Sequence, residues 1–145
     1  MKIATKFFGE LEVQDKDIIS FQGGIPGFKE YGRYALIHES DTDFSYLQSV
    51  DNKYVCFIMV PPAIIIGDYN IDISEECVEE LEIERTEDVS IYAILTIPED
   101  IKNMTANLKA PVIINMKNGK GKQEILDDAR YEIKHRVIKE ADASC

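Results

Sequence analysis

His38, His135, Tyr69 and the adjacent Asp127 and Asp128 are the side chains in this sequence best suited to acid–base or metal chemistry. A histidine pair can bind a metal or carry a proton, but these two are far apart, share no helical spacing and have no cysteine or carboxylate constellation beside them. Structural or surface positions are the simpler reading. Neighbouring residues of a strand point to opposite faces, so Asp127 and Asp128 read as turn formers at the end of a hairpin, not as a catalytic pair. No GxxxxGK[ST] loop, GxSxG elbow or HExxH helix is present, and three common enzyme classes lose their usual signature. The three cysteines follow no CxxC spacing. Cys56, inside YVCFIMV, reads as a small buried hydrophobe and Cys77 lies on the expected helix. Cys145 is the terminal residue, read as exposed, and a dimer through it would be an oxidation artefact. No metal and no cofactor is expected, and no catalytic residue is assigned. The enzyme alternative is a small β-barrel that binds a small molecule, or a site assembled from Tyr69, His135 and Asp128. A deep pocket with convergent polar groups would mark it.

The elements that must position these groups are mostly strands. Short apolar runs between turn signals predict a mainly β, antiparallel domain, barrel-like or built of several connected sheets. An opening hairpin is expected from 3–8 and 11–13 around Gly9 and Glu10, followed by strands at 18–21, 34–38, 44–50 and 54–60. The last is apolar on both parities, which predicts a central strand covered on both faces. Along 89–97, Val89, Ile91, Ala93, Leu95 and Ile97 form one apolar face opposite Ser90, Tyr92, Ile94 and Thr96, which predicts a strand with one face on the core and a second face partly covered. Gly23, Gly24, Pro26 and Gly27 impose a loop, with Phe28 plugging it onto the core. Pro111 suits the first position of a strand that continues through Val112, Ile113, Ile114 and Met116. Asn118 and Gly119 then predict a type I′ hairpin turn.

A single helix is expected at 75–82. Ser74 is its N-cap, Glu75 and Glu76 complement the helix dipole, Ile73 staples onto Val78, and Val78 with Leu81 forms its apolar stripe. A single turn is also possible at 101–104. The whole is read as one domain over 1–137 with a frayed tail at 138–145.

With 45% hydrophobic residues, a chain of 145 residues can bury one ordinary core. The start, MKIATKFFGELEV, lacks the long apolar run of a signal peptide, and no segment could span a membrane, so the expected location is the cytosol. A net charge of −11 argues against direct nucleic-acid binding and would attract a basic partner. The charge is unevenly placed. Glu75, Glu76, Glu79, Glu80, Glu82, Glu84, Glu87 and Asp88 crowd one segment with Arg85 alone against them. Lysines gather at 117, 120 and 122, and basic residues recur at Arg130, Lys134, Arg136 and Lys139. This predicts an acidic pole, either a patch that attracts a basic partner or a solvated helix face.

The stretch TANLKAPVIINMKNGKGKQEILDD (105–128), with TKFFGE at 5–10, GIPGF at 24–28, LQS at 47–49 and the Asp68-Tyr69 pair, resembles the flagellar assembly factor family known as FliW. The likeness spans residues 1–136. It departs from the family pattern at PPAIIIG (61–67), where a more aromatic stretch is usual, and at Arg136, where proline commonly follows the histidine. The resemblance implies a non-catalytic regulator with two partners: the CsrA-type RNA-binding translational repressor and flagellin. In that family, factor held by flagellin cannot reach the repressor. Export of flagellin frees it to antagonise the repressor, allosterically and beside the RNA surface, so that flagellin mRNA is translated. The implied docking residues are Thr105, Ala106, Asn107, Leu108 and Lys109, read as an ordered loop around one leucine, with Asp68 and Tyr69. Self-association is not needed for this role and the chain is expected to be a monomer alone. A structural module of a larger assembly would instead self-associate stably.

Overall fold

The computed structural model describes residues 1–138; Lys139, Cys145 and all but the first residue of the expected tail lie outside the described residues. Strands β1 (Lys2–Ala4) and β2 (Glu10–Glu12) pair as the opening hairpin. Its first arm is shorter than predicted. The Thr5 hydroxyl donates to the Gly9 carbonyl at 2.6 Å and accepts from the Phe8 amide at 2.9 Å, turning the chain at residue 5.

Seven strands then close a barrel. They are β3 (Ile18–Phe21), β4 (Arg33–His38), β5 (Ser45–Ser49), β6 (Cys56–Val60), β7 (Val89–Thr96), β8 (Thr105–Asn115) and β9 (Lys120–Gln123). Successive strands pair antiparallel from β3 to β9, and β9 returns to β3 in parallel through Ser20↔Lys120 and Phe21↔Gly121. The wholly antiparallel expectation is thus corrected at one seam. A closed ring in which every neighbour is antiparallel needs an even strand number, and seven forces one parallel pair. A short β10 (His135–Arg136) pairs with the first residues of β8.

Ile19, Phe21, Tyr34, Leu47, Met59, Val112 and Ile114 fill the barrel interior, and Ile25 closes it from the glycine-rich loop. Ile25, not Phe28, is therefore the plug. Phe28 stays partly exposed with its ring edge-on to Phe57 at 5.1 Å. Three outer clusters coat the barrel. The opening hairpin packs Ile3 and Val13 on Ala35. The helix α1 (Glu75–Glu80) sets Cys77, with Leu81 just past its end, on Ile113. Leu108, Leu95 and Val60 are covered by Leu126, Tyr131 and the segment 65–71.

These outer layers bear on two strands. On β7, Ala93 and Leu95 of the predicted apolar face are buried with Val60 and Leu108, while Tyr92 and Ile94 on the opposite face are partly buried against the interior cluster, so one face is core and the second partly covered, as expected. On β6, only Met59 and Val60 are fully buried, and Cys56 is half-buried because the outer layer stops short of it. Burial pushes both the Cys56 and Cys77 thiols up to about 11, which leaves them as neutral hydrophobes.

Gln48 of the LQS motif pins hairpin to barrel. It is fully buried, accepts from the Lys6 amide at 2.9 Å, and donates to the Ser49 and Lys53 carbonyls at 3.1 Å each. Gln48→Ala orphans these groups and is expected to cost ~1–3 kcal/mol in urea unfolding.

Candidate functional site

Two regions hold the residues that the sequence marked for partner binding. The first is β8 itself. Its pairing with β7 steps from Tyr92↔Val112 to Ile94↔Asn107, so Leu108, Lys109, Ala110 and Pro111 face Ala93 alone. TANLKAP is therefore an irregular stretch inside a strand, which corrects both the loop reading and the placing of Pro111 at a strand start. The backbone groups of the bulge find partners elsewhere. Asn107 Oδ1 accepts from the Ala110 amide at 2.9 Å, the Leu108 and Lys109 amides donate to the Glu132 carbonyl, and the Lys109 carbonyl accepts from Leu126 at 2.7 Å. Proline has no amide to leave unpaired there.

This geometry sorts the predicted residues. Ala106 and Leu108 are buried, whereas Thr105, Asn107 and Lys109 are half-exposed and Asp68 is exposed. Tyr69 joins the two motifs, because its phenol donates to the Leu108 carbonyl at 2.8 Å. Its ring lies 4.5 Å from that of Tyr131, whose hydroxyl donates to the Asn70 carbonyl and accepts from the Asn70 amide. Burial, aided by Tyr131 and Asp128, pushes the Tyr69 phenol up to about 12, so it remains a neutral donor. Hydrogen bonds from Arg130 hold the Asp128 carboxyl down at about 2, and His135 lies in β10 opposite Ala106. Of the alternative trio, Tyr69 thus holds the fold through Leu108 and Asp128 makes a local pair with Arg130.

Beside the bulge, Pro26, Asn107, Lys109, Ala110, Gln123, Ile125 and Ile133 line a shallow depression of about 270 Å³. Ile125 and Ile133 are 70% and 58% exposed. Sequence reading passed over both, although Ile133, an isolated isoleucine between Glu132 and Lys134, was an available signal.

The second region is the acidic segment. Six helical residues are too few to be stable alone, and the β8–β9 hairpin holds them. Asn115, buried, donates to the Leu81 and Glu82 carbonyls at 2.9 and 3.2 Å, and Asn118 donates to Leu81 at 3.0 Å. The chain leaves α1 through Glu82 at φ 54°, with the Ile83 amide bonded to the Val78 carbonyl. Cys77 and Leu81, not Val78 and Leu81, form the buried stripe. The hairpin loop spans 116–119 with only Gly119 at positive φ, so the type I′ turn is not formed.

That hairpin brings its lysines onto the acids. Lys117 pairs with Glu84 at 3.3 Å, Lys120 with Glu82 at 2.7 Å, Lys122 with Glu80 at 3.0 Å, and Arg85 with Glu87 at 2.8 Å. The separated acidic pole of the sequence reading is therefore half-neutralised. Glu75, Glu76, Glu79 and Asp88 have no ion pair among the described residues. Exchanging Lys117, Lys120 and Lys122 for glutamine should remove at most about 1 kcal/mol per pair, with the loss shrinking as salt is added. Urea unfolding at low and high salt checks it.

A cleft of about 350 Å³ at the β3–β9 seam is lined by Phe21, Gly24, Leu81, Lys120 and Lys122, and both lysines are already paired. No group of three metal-ligating side chains gathers among the described residues, and no helix is long and apolar enough to cross a membrane.

A sequence model of the family described as "FliW protein" matches residues 2–137. The chain belongs to the FliW family. Among FliW relatives, the "Flagellar assembly factor FliW" of Thermoanaerobacter pseudethanolicus is 44% identical over 142 residues, covering 97% of this chain and 95% of that one. The protein of the same name from Geobacillus thermodenitrificans is 41% identical over 140 residues, covering 97% of each. A solved structure, "Crystal structure of the flagellar assembly factor FliW", superimposes with a TM-score of 0.90 at 40% identity, covering 97% of this chain and 99% of that one. The closed barrel with one short helix is thus the FliW fold.

Proposed function

We propose that this FliW-family chain is a cytoplasmic, non-catalytic flagellar assembly factor that binds a CsrA-type translational repressor and is withheld from it by flagellin. The observation that carries this is the near-complete likeness, over residues 2–137, to proteins named flagellar assembly factors. The partners come from the family resemblance. The half-exposed Thr105, Asn107 and Lys109, the exposed Asp68 and the exposed Ile125 and Ile133 supply a mixed polar and apolar surface of the kind a protein partner can cover. The unpaired carboxylates Glu75, Glu76, Glu79 and Asp88 supply negative charge to steer a basic repressor or to oppose RNA beside it.

Calorimetric titration against the repressor of the same cell, alone and with flagellin present, tests the reading. Saturable binding that flagellin suppresses is expected. Folded protein that binds neither partner at low salt would reduce the likeness to one of fold. The association rate with the repressor should fall steeply with salt while dissociation changes less; a salt-insensitive association rate would remove the steering role of the acidic residues.

A further inference from the structure

The barrel wall is incompletely laced between β6 and β7. Their ladder consists of Met59↔Ile94 and Val60↔Ala93, although β6 begins at Cys56 and β7 continues to Thr96. Over the unlaced length β6 still pairs with β5 through Gln48↔Cys56, Leu47↔Phe57 and Tyr46↔Ile58, and β7 with β8 through Leu95↔Ala106 and Thr96↔Thr105. Each strand thus has one edge satisfied by the sheet and the other outside any ladder.

A groove of about 320 Å³ lies there, lined by Lys6, Phe7, Cys56, Ile58, Leu95 and Ile97 among others. Its rims carry two large apolar side chains left in the open, Phe7 at 49% and Ile97 at 45% exposure. The Lys6 ammonium sits over the Phe7 ring at 5.4 Å and forms no ion pair among the described residues. In a chain of net charge −11, a cation on an apolar groove selects an occupant bearing a carboxylate.

We propose that this groove accepts an extended segment of a partner protein, added as a strand along the free edge of β6, with apolar side chains against Phe7 and Ile97 and a carboxylate toward Lys6. Backbone hydrogen bonds would hold such a segment, and alternate side chains would set its specificity. The site is separate in sequence from the β8 bulge and requires no assumption about the repressor or flagellin.

The test uses a blocked heptapeptide alternating valine with glutamate, titrated into the full-length protein and followed by amide NMR shifts. Saturable shifts concentrated at residues 56–58 and 95–97 are expected, weakened about fivefold or more by Lys6→Glu, since reversing one exposed charge is worth about 1 kcal/mol. Ile97→Asp should abolish them; both residues are exposed, so unchanged melting is the control for folding. Shifts absent at millimolar peptide, shifts spread evenly over the surface, or equal binding of a valine–lysine heptapeptide would overturn the proposal. Concentration-dependent self-association that perturbs the same amides would name a second copy as the occupant and overturn it too. Loss of repressor or flagellin binding bears on the assembly role alone, because the peptide reads the groove directly.

Discussion

Leu108→Asp is expected to leave the chain largely unfolded at room temperature, and Leu108→Ala to lose ~2–5 kcal/mol of stability. Leu108 is 0% exposed and packs with Val60, Leu95, Ala106 and Tyr131. Truncation to alanine removes both transfer free energy and packing, because neighbours held by the Glu132 and Leu126 hydrogen bonds cannot collapse freely into the space. A carboxylate there would be buried with no cation to meet it, a cost comparable with the ~5–15 kcal/mol of an entire domain. Urea unfolding followed by circular dichroism decides the matter. A cooperative transition of wild-type midpoint in the aspartate variant would mean that Leu108 is not in the core. The prediction also fixes how docking must be examined. A charge at Leu108 cannot separate lost binding from lost folding, whereas Lys109→Glu and Asn107→Ala alter half-exposed side chains. If the β8 surface docks a partner, these two should weaken binding while the melting curve shifts far less than for Leu108→Ala, with Asn107→Ala also losing its hydrogen bond to Ala110.

How far the sequence led depended on the range of the interaction involved. Ile18–Phe21 was legible as a strand because its ends are set by local turn chemistry and its side chains by period two. The α1 start was legible for the same reason: Ser74 accepts from the Cys77 amide at 3.1 Å, as a local cap must. Barrel closure was not, since it rests on two residues of β9 meeting β3 across 100 positions, Ser20 with Lys120 and Phe21 with Gly121. The lysines of 117–122 could not be matched to Glu80, Glu82 and Glu84 without knowing that Asn115 and Asn118 tie the hairpin to the end of α1. Asn107 and Pro111 misled because turn formers in sequence also mark strand irregularities. The TANLKAP and Asp68-Tyr69 motifs themselves were visible, but their meeting was not. Tyr69 reaches Leu108 by one side-chain hydrogen bond, which no local pattern foretells.

Gly24→Ala is expected to be the second most damaging change, at roughly 3 kcal/mol or more, because two independent costs fall on one residue. Its φ is 74°, a region where a side chain costs ~1–2 kcal/mol, and a Cβ would stand 2.7 Å from Lys29 Cα and 2.9 Å from the Phe28 and Lys29 carbonyl oxygens. Backbone atoms cannot rotate away as a side chain can. Relief therefore requires the loop to shift, and that loop carries Ile25, which closes the barrel interior beside Phe21 and Tyr34. Gly27 provides the internal comparison. Its φ is 87° but nothing lies within 4 Å of its would-be Cβ, so Gly27→Ala should show the conformational cost alone, ~1–2 kcal/mol. The difference between the two variants in urea unfolding isolates the close approach from the backbone angle. Equal losses would mean that the loop yields freely and that Ile25 does not depend on it. A larger loss at Gly24 would tie the GIPGF motif to sealing the barrel.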